Sequence, residues 1–170
     1  MKKCLLFLLI CGCKISSFTT IVAPGTSFNS FQTFRIIEYP HQVNITQPEY
    51  DNPENRTLIY EAISTEMKDW GLTESSDSSE ILITYTLLIR DMVDTRVDSA
   101  VIYKPWIDTK QDSFNYTEGS FTLFFMDDAT GIILAQCQIE SVMDRNPDKF
   151  KSDIPRIIKM MFNRIQDESK

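Results

Sequence analysis

The sequence predicts an α+β domain in which a mainly antiparallel sheet carries two helices on one face. Two segments, 53–70 and 152–166, repeat apolar residues at helical spacing, and several shorter segments alternate apolar with polar residues as strands do. The predicted elements follow in the order β-α-β-β-β-β-α, which favours helices packed against one side of the sheet. At 170 residues and 42% hydrophobic composition, the chain suits a single domain over residues 26–168.

The two predicted helices have recognisable ends. Asn52 is a favoured N-cap residue, and Pro53 suits the first helical position because its missing N–H is not needed there. Gly71 stands where helices often end in a left-handed residue. For the second helix, Pro155 is expected in the first turn, where it is tolerated. The apolar faces are formed by Ile59, Ile63, Met67 and Trp70 in the first helix and by Ile154, Ile157, Ile158, Met161, Phe162 and Ile165 in the second.

The strands are predicted from alternating apolar residues and intervening turn residues. A hairpin turn is expected at Asp127-Asp128-Ala129-Thr130-Gly131, which has the residues that close such turns. Cys137 shares an apolar strand face and is expected to be buried packing. The predicted strands cover residues 31–38, 80–90, 97–106 (the weakest), 120–126 and 132–139, with a loop over 105–115.

The N-terminus has the order of a secretory leader. Lys2 and Lys3 precede a short apolar run, residues 4–10, which closes on Gly12-Cys13. This end resembles the bacterial lipobox, in which a small residue precedes the cysteine that becomes diacylated. We therefore expect a signal peptide over 1–12, with lipidated Cys13 holding the chain to the membrane and a tether over 13–25. No acidic run of the kind that marks export to the cell surface follows Cys13, which favours a protein facing the periplasm, and we expect the outer membrane as its location.

Two other interpretations of the leader remain open. A plain signal peptide cleaved nearby would leave a soluble secreted protein. A secreted eukaryotic glycoprotein is the second, since Asn44, Asn55 and Asn115 each begin an Asn-X-Thr acceptor. On the lipoprotein interpretation Cys137 is the only other cysteine that stays in the mature chain, which excludes an intramolecular disulfide.

The composition limits the kinds of ligand and catalytic site that this chain can have. A net charge of -7 with no basic cluster disfavours a nucleic-acid partner. His41 is the only histidine, so neither a histidine-based triad nor a multi-histidine metal site is expected, and we predict no metal and no cofactor. Carboxylate pairs are the remaining catalytic candidates. For Asp127-Asp128, a hairpin turn is a better explanation than catalysis. The other candidates, Asp91, Asp94 and Asp98, are interpreted as part of a solvated loop.

Four segments follow one another in a distinctive order: a predicted strand over residues 27–34, the helix that begins at Asn52-Pro53 and runs to Trp70-Gly71-Leu72, a strand over residues 79–85, and over residues 118–127 a strand with small and alternating apolar residues before an aspartate. In this order, they resemble the opening strand, first helix, central strand and a later strand of the bacterial lipoprotein family called domain of unknown function 4136. Cys137-Gln138 departs from the basic or tryptophan-containing stretch usual there, and the loop before Glu118 is shortened. The resemblance implies location and fold, and it transfers no active site.

These observations favour a non-enzymatic envelope protein that binds or assembles with an envelope partner. The interaction surface is predicted in the stretch from residue 103 to 116, which mixes aromatic with cationic side chains, as interfaces do. A binder of a small apolar or lipid ligand between sheet and helices is the second hypothesis, and a carboxylate-based enzyme is the third. The residues predicted for the interaction are Tyr103, Trp106, Phe114 and Tyr116.

Overall fold

The structure, a computed structural model, describes residues 16–38, 47–97, 111–144 and 146–169. The α+β fold with two helices is as predicted, and its sheet has six strands where five were predicted. The strands are β1 (Ser16–Val22), β2 (Thr33–Ile37), β3 (Thr73–Glu74), β4 (Ile81–Val97), β5 (Gln111–Asp127) and β6 (Ile133–Val142), and the helices are α1 (Pro53–Asp69) and α2 (Pro147–Glu168).

Helix α1 confirms the prediction of a helix over 53–70. The Asn52 side chain accepts a hydrogen bond from the backbone N–H of Asn55 at 2.9 Å, and Pro53 occupies the first turn. Gly71 has a φ of +87°, the left-handed conformation that ends a helix and that glycine adopts without a steric penalty.

Helix α2 is longer than predicted. It begins at Pro147 rather than near residue 152, and the Asn146 side chain accepts from the backbone N–H of Asp148 at 3.0 Å. Pro155 therefore lies inside the helix and not in its first turn. Asn146-Pro147 repeats the capping chemistry of Asn52-Pro53, so a second, earlier start signal was present in the sequence.

The expectation of a mainly antiparallel sheet is corrected to a mixed sheet. The strand order is β1-β6-β5-β4-β2-β3, with three antiparallel pairings and two parallel ones, β2 with β4 and β2 with β3. The parallel pairings have a simple cause. The chain leaves β2, crosses through α1 and returns to the same sheet, and a crossover of this kind joins parallel strands.

The predicted element order is also corrected, to β-β-α-β-β-β-β-α. Strand β1 lies in the segment that was interpreted as a tether over 13–25; its uncharged residues pair along their whole length with β6. Strands β4 and β5 each run for 17 residues, further than predicted. The weak strand expected over 97–106 lies outside the described residues except Val97, which ends β4.

The core lies between the helices and the face of the sheet that carries the odd-numbered residues of β4, β5 and β6. Backbone register aligns Ile83 with Phe125 and Leu123 with Cys137, all four fully buried. The prediction that Cys137 is buried packing is confirmed. The helices supply the opposite half of the core with Ile59, Ile63 and Met67 from α1 and Ile154, Ile158, Met161, Phe162 and Ile165 from α2.

Candidate functional site

The longest feature outside the core is a two-stranded arm made by the outer halves of β4 and β5. Its ladder runs from Asp91 opposite Thr117 to Val97 opposite Gln111. The neighbouring strands stop before it: β2 pairs with β4 only as far as Thr84, and β6 pairs with β5 only as far as Glu118. Within the described residues, these two strand segments have only each other as ladder partners beyond that point, and at the base of the arm the backbone N–H of Met143 also donates to the Thr117 carbonyl at 2.8 Å.

The Gln47 side chain ties the base of the arm to the rest of the domain. Asp91 accepts hydrogen bonds from the Thr117 hydroxyl at 2.9 Å and from the Gln47 side-chain amide at 2.7 Å. Further out, Val93 is an apolar side chain with 65% of its surface exposed.

The interpretation of Asp91 and Asp94 as part of a solvated loop is wrong, because both residues lie in β4. The third member of that set, Asp98, is outside the described residues.

The arm contains part of the predicted interaction stretch. Phe114 is paired with Asp94 across the ladder, and Tyr116, which is half-buried, with Met92. Residues 111–115 are thus strand rather than the loop expected over 105–115. Tyr103 and Trp106 lie outside the described residues, in the segment that joins β4 to β5, and so does Cys13.

A second candidate site is a cavity of about 110 Å³ beneath the N-terminal half of α2, here called the α2 cavity. It exists because one row of the sheet has small side chains where the next row has large ones. Ser16, Ser141 and Gly119 stand side by side across β1, β6 and β5 on the face below α2. The next row places Phe18, Ile139, Phe121 and Leu87 at the equivalent positions.

The walls of the α2 cavity are mostly apolar. The helix side is formed by Phe150, Ile154 and Ile157, and the Met143 side chain closes the cavity near Gly119. The floor consists of Leu87, Phe121 and Ile139. Sequence reasoning did not locate this cavity. Its signal, a small residue at an inward position of three strands, becomes visible only when the register between the strands is known.

The charged residues that line the α2 cavity are paired with one another. Lys149 lies 2.7 Å from Asp144, and Arg156 lies 3.1 Å from Asp153. The hydrogen bond with Asp144 raises the pKa of the Lys149 ammonium. Two positive and two negative side chains therefore balance each other around this cavity.

The acidic pair that was weighed as a catalytic candidate forms the hairpin turn predicted for it. Asp127 accepts from the backbone N–H and the hydroxyl of Thr130, both at 2.7 Å, and these bonds lower the pKa of its carboxyl. Asp128 accepts from Arg35 and from the hydroxyl of Ser79, which lower its pKa likewise. Both carboxylates have structural partners that account for their position.

Over residues 16–38, 47–97, 111–144 and 146–169, no group of three or more His, Cys, Asp or Glu side chains is arranged to hold a metal ion. Neither helix in these ranges combines the length and apolar character needed to cross a bilayer.

Fold and site together define a small α+β domain with a projecting strand pair and an apolar cavity under its C-terminal helix. The chain belongs to the family described as domain of unknown function DUF4136, which matches residues 19–165. The resemblance seen in the sequence is thereby confirmed. No curated protein matches the chain.

Solved structures share the fold. A DUF4136 family protein from Bacteroides thetaiotaomicron is similar with a TM-score of 0.50 and 13% identity, covering 91% of this chain and 95% of its own. A PDZ domain protein from Parabacteroides distasonis has a TM-score of 0.51 and 15% identity over 86% of this chain; the chain spans only 36% of that protein. Likenesses at such low identity establish the fold and carry no activity across.

Proposed function

We propose that this protein is a bacterial envelope lipoprotein, held by lipidated Cys13 and facing the periplasm from the outer membrane, that works by binding a protein partner and not by catalysis. The observation that carries the proposal is the two-stranded arm, Asp91–Val97 with Gln111–Thr117, which extends beyond the rest of the sheet. The leader ending in Gly12-Cys13 supports the anchor.

The arm is suited to contact a partner. An isolated pair of strands is marginally stable in water, and it gains stability when another surface covers it. Val93 is already an exposed apolar residue on the arm. The segment joining the strands adds Tyr103 and Trp106 to Phe114 and Tyr116 of β5, together with Lys104 and Lys110. Aromatic side chains of this kind contribute much of the binding energy at protein interfaces.

The arm is tested by in-cell crosslinking of the membrane-anchored protein. Trp106→Ala combined with Phe114→Ala is expected to remove the main crosslinked partner while leaving the melting temperature of the domain unchanged. The matched control is Ile132→Ala, which changes an apolar side chain that is 61% exposed in the hairpin turn after β5, away from the arm. An identical partner set for wild type and the double variant would exclude the arm as the binding surface.

The anchor is tested separately. Cys13→Ser is expected to abolish labelling by a clickable fatty acid and to release the protein from the membrane fraction, because the leader presents no other cysteine after a small residue. Cys137→Ser is the control and should keep the label, since Cys137 is a buried core residue. Labelling that survives Cys13→Ser would contradict the lipoprotein assignment.

The α2 cavity favours a second candidate function, the binding of a small apolar ligand between sheet and helices. Its volume of about 110 Å³ compares with roughly 150 Å³ for an engineered apolar cavity that binds benzene. Native mass spectrometry of protein extracted from cells tests this candidate. A discrete added mass that disappears on denaturation is the expected result, and an unliganded mass under all mild extraction conditions would argue against it.

A further inference from the structure

We propose that the α2 cavity receives part of an alkyl chain of the lipid attached to the protein's own Cys13. This inference rests on the lipid anchor proposed above and adds a place in the folded domain where one of its chains is held. The occupant follows from three properties of the cavity: its position next to the start of β1, its apolar walls and its balanced charges.

The first property is distance along the chain. Ser16, the first residue of β1, is one of the residues that line the α2 cavity. Cys13 precedes it by three residues, and three extended residues span at most about 11 Å. This short separation puts the cavity within reach of a lipid carried on the Cys13 sulfur.

The second property is the apolar lining. Ile157 and Ile154 face the cavity from α2, and Phe121 and Ile139 face it from the sheet. An alkyl chain that moves from a bilayer into this space exchanges one apolar environment for another, and it makes dispersion contacts with these wall atoms. In water, before the protein reaches a membrane, the same space shields part of the chain.

The third property distinguishes an anchor chain from other lipids. The charged pairs lining the cavity, Lys149 with Asp144 and Arg156 with Asp153, are complete without a ligand. These pairs are exposed, so a free fatty acid would add a further negative charge beside Asp144 and Asp153, which already neutralise Lys149 and Arg156. The chains of a glyceryl thioether carry no charge, and the balanced lining matches them.

Photo-crosslinking in cells tests the inference with the full-length protein. Cells are grown with a palmitic acid analogue that carries a diazirine in its chain and a terminal alkyne, then irradiated, and the crosslinked peptides of the purified protein are identified by mass spectrometry. We expect crosslinks in the peptides that contain Met143 or Ile157. Ser141→Phe, which places a ring in the cavity from the sheet, should reduce these crosslinks at least tenfold.

Two further variants make the result specific. Ser17→Phe adds the same ring to the opposite face of β1, where Ser17 is exposed beside Glu140, and should leave the crosslinks unchanged. Ile157→Trp fills the cavity from α2 and should repeat the loss if Ser141→Phe fails to fold, as judged by its melting curve. All variants should keep the alkyne label on Cys13.

The outcomes separate this inference from the proposed anchor. A labelled Cys13 with crosslinks that avoid the cavity, or that persist in both filled variants, overturns the inference and leaves the anchor standing. An unlabelled Cys13 overturns both. Cavity crosslinks from free analogue added to the purified Cys13→Ser protein, with none from the attached lipid, would show that an external lipid is the occupant and would also overturn the inference.

Discussion

Gly119 and Met143 compete for the same space: a β-carbon on Gly119 would lie 2.5 Å from the Met143 sulfur. Gly119 is buried in β5 with an ordinary backbone conformation, so its role is to leave room and not to permit a positive φ. The thioether can therefore lie against the strand, where it closes one side of the α2 cavity.

Gly119→Ala is expected to cost less than about 1 kcal/mol of folding stability, because a flexible methionine can move into the adjoining cavity. Gly71→Ala is the comparison. Its φ of +87° is strained for any residue with a β-carbon, although nothing lies within 4 Å, and it should cost about 1 kcal/mol or more. Urea unfolding of both variants measures the difference. A larger loss at Gly119 would show that Met143 has no room to move.

Helix α2 should be sensitive to charge on its buried face. Met161 is fully buried in the hydrophobic core, and Met161→Asp would place a carboxylate among apolar side chains. The expected loss is several kcal/mol, enough to unfold a marginal domain. Asn163→Asp adds the same charge at an exposed position of the same helix and should change stability by no more than about 0.5 kcal/mol. Equal melting temperatures for the two variants would mean that Met161 faces solvent.

The buried pair of Asp51 and Arg56 should be strongly coupled. Asp51 is 2% exposed, and Arg56 donates to its two carboxylate oxygens at 2.7 and 3.1 Å. Arg56→Met leaves the carboxylate buried without its guanidinium and is expected to cost about 3–5 kcal/mol. Arg156→Met, in an exposed pair, should cost at most about 1 kcal/mol. If chemical denaturation gives similar losses for both, the Asp51 site is open to water.

The pair of Arg35 and Asp128 should make stability depend on acid pH. Hydrogen bonds from Arg35 and Ser79 hold the pKa of the Asp128 carboxyl below its ordinary value, so the folded state favours the ionised form. This stabilisation is complete above the unfolded pKa and is lost as the pH falls through the lower folded pKa, that is, below about pH 4.

Asp128→Asn should therefore melt below wild type at neutral pH, and the gap should narrow as the pH is lowered through that range. Asp77→Asn, a change in the exposed bend between β3 and β4, serves as the control and should show little difference at any pH. Melting curves between about pH 2 and 7 measure the effect. A gap that stays constant would contradict the role of the ionised carboxylate.

Local signals predicted the helices better than the sheet. Helix α1 was predicted from short-range signals, namely its start at Asn52-Pro53 and its apolar face through Met67, and the observed helix matches that prediction. Strand β1 was missed because its sequence, residues 16–22, has no charged residue and only weak alternation, as a tether would. It becomes a strand through pairing with β6, whose residues lie more than a hundred positions away. The parallel pairing of β2 with β4 has the same non-local origin.

The candidate sites were likewise predictable only where they depend on local sequence and not on strand pairing. The aromatic stretch was found from composition, but its arrangement as part of a two-stranded arm depends on where β2 and β6 end. The α2 cavity depends on the alignment of Ser16, Ser141 and Gly119, which are far apart in sequence and adjacent only in the sheet. Such alignments follow from register, and one sequence does not specify register directly.

The mass of the mature N-terminal peptide tests the central claim most directly. Protein is purified from the membrane fraction of cells that make the full-length chain, digested, and its N-terminal peptide is identified by mass spectrometry. The lipoprotein assignment predicts a chain that begins at Cys13 and carries the added mass of a diacylglyceryl group on its sulfur. A mature chain that begins after Cys13, or that begins at Cys13 with no added mass, would contradict it.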